Sequence, residues 1–230
     1  MKVIASALLL FAHVSHAYVS DIPTYSQFER MGASHQLDAK DVYSLALAES
    51  GHWVDTEFVP HPYAISLGYD DSIGQLKHEG FYPETKLEAK AILRQLLKAG
   101  YTNIGIGMMQ VNIKANPDIV EDYTSLLDPM TNLQAASKVL KWCRRYKSSN
   151  DVFACYSHGD ARSEKGQQYA SRVVTYSDKY AHQWEKSHSL PSNGVYSFEQ
   201  FVRVAKTRSS RYSATDSRQA QARAITIVTQ

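Results

Sequence analysis

Four polar residues, Asp38, Thr85, Asp128 and Ser163, each head a stretch in which apolar side chains return every three or four positions. A side-chain oxygen placed to accept from the first free N–H groups, followed by a 3.6-residue apolar period, is a strong local signal for an amphipathic helix. Asp38, with Asp41 in the first turn, opens a helix through Val42, Leu45 and Ala46 that stops near Gly51. Thr85 and Glu88 have the spacing of a capping box and start a helix over 84–99, with Leu87, Ala91, Leu93 and Leu97 as apolar positions and Gly100 as the stop. Asp128 and Pro129 supply the cap and first turn of a helix whose inner face carries Leu133, Ala136, Leu140 and Cys143. After Ser163, the residues Tyr169, Val173, Tyr176, Tyr180 and Trp184 again follow helical spacing. The stretch 52–82 is instead rich in Gly, Pro, Tyr and Asp; 63–67 reads as a short strand and 68–74 as its turn. These signals predict a predominantly α (α+β) fold, a helical domain with a small β-hairpin insertion.

The two ends differ from this middle. Residues 1–17 begin with Lys2, pass through the apolar run 3–11 and reach Ser15-His16-Ala17, which has the small-x-small form of a signal peptidase site. They are read as a signal peptide, so that the mature chain is exported and begins at Tyr18. The run falls short of the roughly 20 residues that cross a bilayer, and no later segment comes closer, so no membrane span is expected. The folded domain is assigned to 18–186 and the remainder, 187–230, to a tail. In that tail Arg203, Lys206, Arg208, Arg211, Arg218 and Arg223 stand against Glu199 and Asp216. The tail therefore carries +4 of a chain whose net charge is +2, leaving −2 for everything before it. Such a Ser/Arg/Gln-rich end reads as a flexible, solvated basic tail able to touch an acidic partner, with a short helix over 198–204.

Two cysteines, Cys143 and Cys155, are a candidate disulfide in an oxidising compartment; two buried free thiols are the alternative, and the pair makes no zinc site. His52, His61, His78, His158, His182 and His188 show no ligand spacing, so no metal and no cofactor is expected. Phosphate-binding glycine loops, a nucleophile elbow and nucleic-acid motifs are all lacking from the sequence.

Three segments carry chemistry. Val42, Leu45, Ala46 and Glu49 fall at i, i+3, i+4 and i+7, which puts a carboxylate on the stripe that the helix buries. Desolvation there favours the protonated form and suits a general acid near neutral pH, whereas a glutamate turned outward at the helix end is the plainer reading. Residues 105–112, Gly-Ile-Gly-Met-Met-Gln-Val-Asn, set conformationally free glycines beside Gln110 and Asn112. Their amides both donate and accept, which suits a substrate dense in hydroxyl and N-acetyl groups; a tight turn into a helix, with the methionines in the core, is the alternative. In Ala154-Cys155-Tyr156-Ser157-His158-Gly159, Tyr156 is placed either to stack on a sugar or to pack in the core.

Together and in this order, the segments resemble the lytic transglycosylases related to goose-type lysozyme, in particular the small members attached to type IV secretion, conjugation and pilus systems. Glu49-Ser50 is similar to that family's catalytic Glu-Ser, Gly107-Met108-Met109-Gln110 to its Gly-Leu-Met-Gln, and 154–159 to its Ala-x-Tyr-Asn-x-Gly. Asn132-Leu133 with Ala135 and Ala136 resembles the Asn-led helix between those last two segments, and Tyr169-Ala170 with Val173 its closing helix. Ser157 and Gly105 depart from the pattern, standing where the family usually has asparagine and often an acidic residue. The resemblance implies a lysozyme-like fold and one essential acid, Glu49, that cleaves the bond between N-acetylmuramic acid and N-acetylglucosamine of peptidoglycan and leaves a 1,6-anhydro end. It further implies a periplasmic location, with Ser50, Tyr63, Met109, Gln110, Asn112, Tyr156 and Tyr169 as glycan-positioning residues and a secretion or conjugation apparatus as a partner of the tail. Should a second carboxylate take part, as in two-carboxylate glycosidases, Asp55, Glu57, Asp70 and Asp71 are the candidates. A lysozyme-like hydrolase and a non-catalytic peptidoglycan-binding assembly factor are the competing readings.

Overall fold

The computed structural model describes residues 17–69 and 79–188. Residues 1–16 of the expected signal peptide (1–17), most of the expected turn (from residue 70) with Asp70, Asp71 and His78, and residues 189–230 of the expected tail (187–230), where a short helix was expected over 198–204, lie outside the described residues.

A 3₁₀ turn (Ala17–Asp21) leads into α1 (Tyr25–Ala33) and then α2 (Ala39–Ser50). The Asp38 carboxylate caps α2 by accepting from the Asp41 N–H at 2.7 Å, as the sequence predicts. Val42, Tyr43, Ser44, Leu45, Ala46 and Leu47 are all buried, so α2 is the central helix, touching α1, α6 (Glu164–Tyr176) and the turn after it. Burying each large apolar side chain in such a position contributes about 1.5–3 kcal/mol. Directly after α2 the chain forms a hairpin, β1 (Gly51–Val54) and β2 (Glu57–Pro60), which reverses at Asp55 with φ 52°.

A second, four-stranded antiparallel sheet has the order β4-β3-β5-β6, from β3 (Ile65–Leu67), β4 (Glu79–Phe81), β5 (Ile104–Ile106) and β6 (Val111–Asn112). Ile65 lies opposite Phe81 on one side and Ile106 on the other. The β content thus exceeds the single expected hairpin, because 104–112 forms a β-hairpin rather than a turn into a helix. Its strands are too short to show an apolar period of their own and acquire their pairing from β3.

Between β4 and β5 runs α3 (Lys86–Lys98), capped by the Thr85 hydroxyl accepting from the Glu88 N–H at 3.2 Å. Its buried stripe is Ala89 and Leu93 flanked by Ile92, Leu96 and Leu97, while Leu87, expected inside, is 78% exposed, and Ala91 is exposed as well. Leu93 and Leu97 face the core as the sequence predicts, whereas Leu87 and Ala91 do not. A 3₁₀ turn (Tyr123–Leu127) precedes α4 (Pro129–Cys143), whose Leu133, Ala136, Leu140 and Cys143 are buried as predicted. The Asp128 carboxylate accepts from the Thr131 N–H at its start.

α5 (Ser149–His158) ends in Gly159 at φ 71° and is tied to α4 by a Cys143–Cys155 disulfide with a Cα–Cα distance of 5.8 Å. α6 continues through a π turn (Ser177–Ala181) into α7 (His182–His188). Tyr176 and Tyr180, across that turn, both meet Phe58 of β2, at centroid distances of 5.3 and 4.8 Å. Trp184 stacks on Tyr43 of α2 at 3.9 Å. The aromatic spacing seen in the sequence is therefore packing that clamps the last helices over α2 and the hairpin.

Candidate active-site groove

The segment 107–110 is the point at which the two halves of the fold are latched together. Gly107 donates its N–H to the Ala64 carbonyl at 2.7 Å, just ahead of β3. Ser50, at the end of α2, donates its hydroxyl to the Met108 carbonyl at 2.8 Å and accepts from the His61 N–H at 3.2 Å. Asn132 of α4, fully buried, accepts from the Met109 N–H at 2.8 Å and donates to the Ile106 carbonyl at 2.7 Å. Tyr156 of α5 donates its hydroxyl to the Met109 carbonyl at 2.8 Å. Two structural demands make Gly107 a glycine: φ is 75°, and a Cβ would stand 2.3 Å from the Asn132 amide nitrogen.

Around this latch opens a groove of about 1320 Å³. One wall comes from the sheet and its loops, with Ser66, Asn103, Gly105, Gln110 and Asn112; the other comes from α4, α5 and α6, with Val139, Trp142, Tyr156, Ser157, Tyr169 and Arg172. Glu49, on the last turn of α2, lies in it. Among the described residues that line the groove, Glu49 is the only carboxylate. Asp55 and Glu57, in the hairpin after α2, do not line it.

The half-buried Glu49 side chain accepts a hydrogen bond from the Tyr169 hydroxyl. Burial raises its pKa from the ordinary 4.5 to about 7, against the opposing pull of the Tyr169 hydrogen bond and the Arg172 charge. The hydroxyls of Tyr156 and Tyr169 are pushed well above 10, first by burial and then by the nearby Glu49, so both remain neutral donors. The Arg172 guanidinium sits 5.0 Å from the centre of the Tyr169 ring. A carboxyl that is protonated about half the time at neutral pH can both give and take a proton.

The other predicted site residues divide. Gln110, Asn112, Tyr156 and Tyr169 line the groove with Glu49. Ser50, Met109 and Tyr63 do not, and this corrects their reading as glycan contacts. Ser50 is 2% exposed and serves the latch, while Met109 is wholly buried and takes part through its backbone. Tyr63 is a core residue rather than a groove wall, its hydroxyl bonded to Asp21. The Gln110 amide is occupied within the protein: it donates to the Gly107 and Ala64 carbonyls at 2.8 and 3.2 Å and accepts from the Ser66 hydroxyl at 2.6 Å. These bonds hold Gln110 at φ 45°, an uncommon conformation for a residue with a side chain. They also explain the departure at Gly105, where a Cβ would stand 2.6 Å from the Gln110 amide oxygen and 2.7 Å from the Ser66 hydroxyl. Ser157 keeps a polar group in the groove and pairs with the His158 ring at 2.7 Å.

Sequence reasoning missed Tyr82, Trp142, Arg172, Lys114 and Lys138, all of which line the groove. Arg172 had a signal, its i+3 spacing from Tyr169. Trp142 had none, since nothing local shows that α4 turns it outward, 54% exposed, with the Arg145 guanidinium 3.8 Å from its ring centre.

Residues 81–177 match the transglycosylase SLT domain. This match, over 97 of the 230 residues, supports a lytic transglycosylase family, with peptidoglycan as the substrate that the domain implies. No curated protein and no solved structure matches it. The matched span includes Gln110, Asn112, Tyr156 and Tyr169 but begins after Glu49, which joins them through the fold.

Proposed function

We propose that the protein is a peptidoglycan lytic transglycosylase in which Glu49 is the single catalytic acid and base. The carrying observation is the one carboxylate among the described residues that line the groove, raised to a pKa of about 7 and oriented by Tyr169. Protonated Glu49 gives its proton to the glycosidic oxygen between N-acetylmuramic acid and N-acetylglucosamine as the C1–O bond breaks. The muramic 6-hydroxyl oxygen bonds to C1, and the Glu49 carboxylate takes the hydroxyl proton. Glu49 ends as it began, the product is a 1,6-anhydro sugar, and no water is consumed. Intramolecular attack of this kind gains several kcal/mol when the reacting atoms are held close, and that is the task of a groove latched at 107–110.

Incubation of the protein with purified sacculi tests the reading. Soluble fragments with 1,6-anhydromuramic ends are expected, and none from Glu49→Gln. Reducing ends would make the protein a hydrolase, and sacculi bound but uncut would make it an assembly factor.

The signal-peptide pattern in 1–17 and the basic tail support export to the periplasm and local opening of the wall for a secretion or conjugation apparatus. Export predicts a mature N-terminus at Tyr18, readable by N-terminal sequencing. Service to an apparatus predicts that Glu49→Gln lowers substrate transfer by that apparatus, while equal transfer would remove this role.

A further inference from the structure

We propose that the groove also binds the acidic stem peptides of peptidoglycan, through Lys114, Lys138 and Arg172. The proposal rests on the peptidoglycan reading above and deepens it. These three cations come from separate elements, Lys114 just after β6, Lys138 from α4 and Arg172 from α6, and all face one groove whose only described carboxylate is Glu49. The protein before the tail carries −2 overall, so a positive groove runs against its local composition. Two of the cations are held in place. The Lys138 ammonium donates to the Ile119 carbonyl at 3.0 Å and keeps donors to spare, while the Arg172 guanidinium lies over the Tyr169 ring. A groove lined by one sign of charge concentrates a ligand of the other sign.

Uncharged N-acetyl sugars offer these cations hydrogen-bond acceptors but no opposite charge. Peptidoglycan offers carboxylates in two places: on the stem peptides, or on the lactyl groups where peptides have been removed. The stem peptide fits better, because the cations are spread over both walls and at three separate points, whereas a lactyl carboxylate sits against its own ring.

Binding by the uncleaving Glu49→Gln protein is the test, using three strands: intact, intact with carboxylates capped as amides, and stripped of peptides by an amidase. An exposed ion pair is worth up to a few-fold in affinity, so intact strands should bind about tenfold tighter than either other strand, and less so at high salt. The Lys114→Glu/Lys138→Glu pair should reduce the intact-to-capped ratio to about twofold or less, and the Gln pair should reduce it partway; unchanged melting of both shows that the fold is kept. Stripped strands binding as tightly as intact ones would assign the charge to the lactyl group, and equal binding of all three would remove charge recognition. Either result overturns the proposal. Cleavage of intact strands by the wild-type protein, scored in parallel, tests the catalytic reading separately: its absence would retire that reading and leave the binding ratios to decide this one.

Discussion

Glu49 acquires its chemistry from its position at the end of α2, where the helix still buries the side chain but the chain has already reached the groove. Replacing it with Gln removes the proton and should lower cleavage by about a thousandfold, the scale of general acid catalysis, as read by release of soluble fragments. Tyr169→Phe should act more gently. Loss of its donated hydrogen bond disfavours the Glu49 carboxylate, so the Glu49 pKa rises further. Because the acid must be protonated at the start, kcat/KM falls as pH rises through about 7 in the wild type, and in Tyr169→Phe this fall should move to higher pH. The maximal rate should drop about tenfold, the worth of one oriented hydrogen bond. An unmoved pH profile would show that Tyr169 does not tune the acid. Glu49 was legible in the sequence because helical spacing put it on a buried stripe and Glu49-Ser50 resembles the family's catalytic pair; spacing alone left an outward-turned glutamate as the plainer reading. Ser50 and Met109 were legible as motif members, and Tyr63 by its place in the insertion, but not in direction, since each turns toward the core for a partner distant in sequence.

Elements matter here for what they hold. α4 pins 107–110 through Asn132, so Asn132→Ala leaves the buried Met109 N–H and Ile106 carbonyl without that partner. We expect a loss of about 2–4 kcal/mol in chemical unfolding, together with weaker glycan binding, since the groove is built around that turn. α5, which carries Tyr156, is tied to α4 by the Cys143–Cys155 disulfide. Reduction should cost about 3 kcal/mol, a fall in melting temperature near 10 °C by scanning calorimetry in the presence of a reductant. Helices were readable because caps at Asp38, Thr85, Asp128 and Ser163 are local chemistry. The outward turn of Leu87 and Ala91 on α3 and the β5–β6 hairpin were not, because each is decided by what packs against it.

At the scale of the molecule, the groove lies where helices and sheet meet, and the fold gives up some stability to keep a carboxyl there. Glu49 has a folded pKa of about 7, above its ordinary 4.5, so the folded protein binds the extra proton. Its cost is absent below pH 4.5, grows between 4.5 and 7, and is full above 7. Glu49→Gln should therefore melt with the wild type near pH 4 and above it at pH 8, by up to roughly 3 kcal/mol. Melting curves that stay parallel across this range would mean that the side chain is not buried. The central claim, that a single carboxyl transfers the sugar to its own hydroxyl without water, is tested most directly by digesting sacculi in ¹⁸O-labelled water and weighing the products. We predict muramic ends that are one water lighter than hydrolysis products and free of label. One ¹⁸O at each newly formed muramic end would contradict the account.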